Sequence, residues 1–73
     1  MTGGQAIRTA RRYREMSQAE LASLYGVCTR TVQRWEKDTV QLKWDTVKAV
    51  VEQVCDLKLG FVLLLEQQSN ENN

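Results

Sequence analysis

The stretch QAELASLYGVCTRTVQRWEK, Gln18 to Lys37, decides the fold. Leu21, Ala22 and Tyr25 fall at helical spacing in its first half, and Val32 and Trp35 do so in its second. Gly26 stands between the halves, and glycine is the residue that most easily ends a helix in the left-handed conformation. Just ahead of the stretch, Ser17 reads as an N-cap, because Glu20 three residues later completes a capping box. The pattern predicts two short helices joined by a tight turn, the second starting at Cys28 or Thr29. Ala22 is small where the two helices approach, and Leu21, Tyr25, Val27, Val32 and Trp35 fill the wedge between them. Thr29, Arg30, Gln33, Arg34 and Lys37 are left largely outside.

Toward the N-terminus, GQAIRTARRYREM carries a first helix with Ile7, Ala10 and Met16 inward and arginines around the rest. On the other side, the loop DTVQLK leads into a fourth helix from about Trp44 to Val54, with Trp44, Val47, Val50, Val51 and Val54 as its apolar stripe. So many β-branched residues weaken intrinsic helicity, so tertiary packing must hold that helix. The segment LKLGFVLLLE, 57–66, alternates in a way that suits a strand, and a fifth helix is the alternative. A lone strand cannot satisfy its own backbone, and the chain offers no other strand. Leu59, Phe61, Leu63 and Leu65 are therefore expected to pair with the same segment of a second copy. The tail QQSNENN, 67–73, is polar enough to be disordered. The expected architecture is one domain, 1–66, mainly α: four helices with a C-terminal β-strand, or fifth helix, used for dimerisation over 57–66.

Composition narrows the function. A chain of 73 residues buries only about 60% of the surface it exposes when unfolded, so its core is thin. No apolar run approaches the roughly 20 residues that span a bilayer, and no charged region precedes an apolar one at the start, so a cytoplasmic location and no membrane partner are expected. There is no histidine, and Cys28 and Cys55 alone make no zinc site, so neither a metal nor another cofactor is expected. A nucleophile would lack its usual base, and catalysis is not expected. Free thiols in a reducing compartment are the expected state of the two cysteines, with one disulfide as the alternative. Residues 1–37 hold seven Lys or Arg against three acids, while 38–73 hold three against six. The N-terminal half is the one suited to a polyanion.

Two short helices packed across a tight glycine turn form a helix-turn-helix. MSQAELASLYGV, TVQRWEK and the following WDTVKAVVEQV resemble the Cro/C1-type helix-turn-helix regulators of phages and bacteria, which have a lambda-repressor-like fold, over roughly residues 5–56. The resemblance implies a repressor that binds a palindromic double-stranded DNA operator as a homodimer, with the third helix in the major groove. It implies that Thr29, Arg30 and Arg34 face base edges, with Cys28 and Gln33 at the margin. Gln18, Thr31, Lys37 and Lys43 are implied as phosphate contacts, around a loop that also carries Thr39 and Gln41. It further implies that Arg11 pairs with Glu36, tying the first helix to the end of the third. The chemistry agrees, since arginine reads guanine O6 and N7 with two parallel hydrogen bonds and a threonine methyl can touch that of thymine. Glu15 departs from the family pattern, which often has glycine there, and the loop DTVQLK lacks the usual proline.

Two other readings remain open. One is an antitoxin that binds DNA and also a toxin protein, for which the C-terminal segment resembles the antitoxin-like members with a dimerisation strand. The other is a helix-turn-helix module that binds only proteins. The cationic residues Arg30, Arg34 and Lys37 speak against the latter.

Overall fold

The computed structural model describes the backbone of residues 2–71 and the side chains of 2–65. Among the described residues five helices follow one another: α1 Gly3–Tyr13, α2 Gln18–Tyr25, α3 Thr29–Glu36, α4 Trp44–Ala49, which continues as a π-helical turn over Val50–Val54, and α5 Leu59–Glu71. No strand occurs among the described residues. α1 is the central element and packs against α3, α4 and α5, while α2 lies chiefly on α3. The core takes Ala6, Ile7 and Ala10 from α1, Leu21 and Ala22 from α2, Val32 and Trp35 from α3, and Val47, Val50, Val51 and Cys55 from α4 and its extension. Leu57 and Val62 close it from the C-terminal side.

The helix boundaries follow from local chemistry. Ser17 caps α2 as expected: its hydroxyl accepts from the Glu20 N–H at 3.0 Å, and the Glu20 carboxylate accepts from the Ser17 N–H at 3.1 Å. The Ser17 N–H, and after it the Ser17 hydroxyl, hold the Glu20 carboxyl below its ordinary value near 4.5. A depressed carboxyl contributes stability that is present above the ordinary value and is lost as pH falls through the folded one. Thermal melts of the wild type should therefore weaken on acidification below pH 4.5. Glu20→Gln, which keeps an N3 amide for the box, should show a shallower acid loss. Equal acid slopes for the two proteins would contradict this assignment.

Gly26 ends α2 at φ 83°, and the Val27 N–H bonds back to the Ala22 carbonyl at 2.9 Å. The other helix ends use left-handed residues that are not glycine: Glu15 at φ 55°, Asp38 at 57° and Asp56 at 54°. At the first, Met16 N–H bonds to Arg11 O at 3.1 Å and Glu15 N–H to Arg12 O at 3.0 Å, the paired bonds of a Schellman motif. Left-handed backbone costs a side-chain-bearing residue about 1–2 kcal/mol, partly offset on replacement by the extra freedom glycine has when unfolded. Glu15→Gly is expected to stabilise the protein by about 0.5–1 kcal/mol, read as a higher thermal midpoint. A lower midpoint would contradict the strain assigned to Glu15.

The segment after Asp56 departs from expectation. Residues 59–65 form part of α5 and not a strand, so Leu59, Phe61, Leu63 and Leu65 do not share a pleated face. Val62, which alternation placed on the opposite side, is the residue fully buried, whereas Phe61, Leu63 and Leu64 are exposed. A helix satisfies its own backbone without a second chain, and leucine is a strong helix former. α5 also extends to Glu71, past the boundary at 66, and residues 72 and 73 lie outside those described. Trp44, expected in the stripe of α4, is instead about half exposed at the start of that helix. The valines and Cys55 fill the stripe without it.

Candidate nucleic-acid interface

The buried edge of α3 fixes what its outer face presents. Val32 is fully buried and Trp35 nearly so, with the Trp35 ring edge-on to Tyr25 at 5.8 Å between centroids. With that edge pinned, Arg30, Gln33, Arg34 and Lys37 point to solvent, and with Thr39 they line one shallow concavity. Thr39 is held there because its hydroxyl donates to the Arg34 carbonyl at 3.1 Å. Thr29 is half-buried at the start of α3. The exposed Cys28 is its N-cap residue, with Sγ 3.2 Å from Oγ1 of the half-buried Thr31. That contact, and the Thr31 N–H after it, hold the Cys28 thiol below its ordinary pKa.

Of the six arginines, two are held in place by the fold. Arg11 is nearly buried and grips Glu36 with two bonds, Nε to Oε2 at 2.7 Å and Nη2 to Oε1 at 2.8 Å, while Nη1 donates to the Met16 carbonyl at 2.8 Å. The Glu36 hydrogen bond raises the Arg11 pKa, so the guanidinium keeps its charge into strongly alkaline pH. Arg14 donates to the carbonyls of Cys55 and Asp56 at 2.7 and 2.9 Å, closing the end of the π-helical turn. Both are occupied by the fold. Arg8, Arg12, Arg30 and Arg34 are exposed and have no side-chain partner among the described residues; the first two lie on α1, and the last two share the outer face of α3.

Of the residues implied as phosphate contacts, Lys37 and Lys43 are exposed at the end of α3 and immediately before α4. Gln18 is half-buried, and its Nε2 donates to Glu36 Oε1 at 3.3 Å, so the ion pair sets its position. Sequence reasoning missed Asp38, whose carboxylate accepts from the Thr2 hydroxyl at 2.7 Å and so fastens the start of α1 to the turn after α3. It also missed Arg14, because its partner carbonyls lie 41 and 42 residues away. No helix among the described residues is long and apolar enough to cross a membrane. The chain matches no known protein family, no curated protein and no solved structure. The functional reading rests on its own residues.

Proposed function

We propose that the protein is a sequence-specific DNA-binding regulator in which α2, the turn at Gly26 and α3 form a helix-turn-helix. The observation that carries this reading is the exposed outer face of α3, where Arg30 and Arg34, without side-chain partners among the described residues, line one concavity with Gln33, Lys37 and Thr39. α3 enters the major groove, Thr29, Arg30, Gln33 and Arg34 meet base edges with Cys28 at the margin, and Thr31, Lys37, Lys43 and Gln18 lie toward the phosphates. The mode of action is occupancy of an operator, which blocks transcription.

A helix of eight residues is about 12 Å long, against 3.4 Å per base pair, so one copy reads only about four base pairs. Useful specificity then needs two copies on a two-fold site with half-sites about 34 Å apart. The surface that suits a second copy is on α5 and α1, where Phe61, Leu63, Leu64 and Tyr13 are exposed and the Tyr13 and Phe61 rings meet edge-on at 5.5 Å. Such a contact joins helices and needs no strand.

The test is a titration of wild type, Arg30→Ala and Arg34→Ala against a bound site and against random duplex, over a range of salt. Each substitution is expected to weaken binding to the site by about 1–3 kcal/mol and to cost less on random DNA, with the melting curve unchanged. For the wild type, log K should fall linearly with log salt. Equal losses on both duplexes would make these residues phosphate clamps, and a salt-independent signal would point to a protein partner instead.

A further inference from the structure

Resting on the DNA-binding reading above, we infer that each half-site contains two guanines no more than about three base pairs apart, one read by Arg30 and the other by Arg34. At about 100° per residue, Arg30 stands almost opposite the midpoint of the buried Val32 and Trp35, and Arg34 lies about 40° round from it. Arg30 thus stands at the centre of the outer face of α3 and Arg34 within about 50° of that centre, so both reach a groove in which this face lies. They are four residues apart, hence about 6 Å along the axis, close to two base-pair steps.

The chemistry of the face then selects the base. A guanidinium carries donors only, and guanine is the one base that offers two acceptors, O6 and N7, side by side in the major groove. Adenine offers one acceptor beside a donor, thymine one acceptor, and cytosine a donor. Neither guanidinium has a described side-chain partner, so both forks are open to such an edge. Among the described residues, the carboxylates nearest in sequence already have partners: Glu36 is bound by Arg11 and Gln18, and one oxygen of Asp38 by Thr2. Gln33, with one donor group and one acceptor, suits adenine and supplies a comparison within the same face.

The experiment selects bound sites from random duplex DNA with the full chain, then replaces each guanine of a selected site in turn by 7-deazaguanine, which lacks only the N7 acceptor. Selection is repeated with Arg30→Gln and Arg34→Gln. The expected result is a pair of guanines per half-site, about tenfold weaker binding on each replacement, and adenine in place of one guanine for each variant. Melting curves show that the variants fold, and the replacement series on wild type does not depend on them. Symmetric selected sites without paired guanines, or binding indifferent to 7-deazaguanine, would overturn this inference and leave the DNA-binding reading standing. Salt-dependent binding with no enriched sequence would overturn it together with specific recognition, and no binding to any duplex would overturn the DNA-binding reading itself.

Discussion

Glu36→Ala is expected to lower the stability of the protein by about 3 kcal/mol, a large share of the total for so small a domain. The side chains of Arg11 and Glu36 are only 13% and 5% exposed, so removing the carboxylate strands a guanidinium where water reaches it poorly. The loss spreads, because the same cluster joins four places in the chain: α1 at Arg11, the turn at Met16, the start of α2 at Gln18 and the end of α3 at Glu36. Attraction between the charges is not itself the source of that stability. Replacing both, as Arg11→Met with Glu36→Met, should therefore recover most of the loss. Chemical denaturation of Arg11→Met, Glu36→Met and the double variant forms a cycle that checks this. Additive losses in the double variant would show that the pair does not act as a unit.

Gly4→Ala is expected to destabilise the fold by about 3 kcal/mol. A Cβ at Gly4 would collide with the Trp35 carbonyl oxygen and come within 2.7 Å of Asp38 Oδ1, so the obstacle is mainly backbone, which cannot rotate away. α1 would have to lift from the end of α3, disturbing the Thr2 to Asp38 bond and the turn that carries Thr39. Gly60→Ala is the matched control, since a Cβ there meets nothing within 4 Å and alanine favours the helix. A thermal midpoint for Gly4→Ala close to that of Gly60→Ala would contradict the close approach.

The parts of the fold legible in the sequence are those written in neighbouring residues. Ser17 with Glu20, Gly26, and the Val32 and Trp35 edge each lie within a few positions of what they control, and all stand where the pattern put them. The parts that were not legible depend on distant residues. The pattern starts the first helix at Gly4 and α1 begins one residue earlier, but the need for glycine there comes from α3, which leaves no room for a side chain at Gly4. Residues 57–66 satisfy a period of two and are also leucine-rich, so periodicity alone could not separate strand from helix. The burial of Val62 between the exposed Phe61 and Leu63 follows from packing against α1. Arg30 and Arg34 were legible as candidates on the outer face, while the occupation of Arg14 needed the chain to fold.

Amide-resonance mapping with a short random-sequence duplex at low salt tests the central claim, that the outer face of α3 is the DNA interface. The account predicts the largest shifts over residues 28–37 and in the loop 39–43, reversed by added salt, with α5 little changed. Shifts concentrated on α5 or around Trp44, or none anywhere, would contradict it.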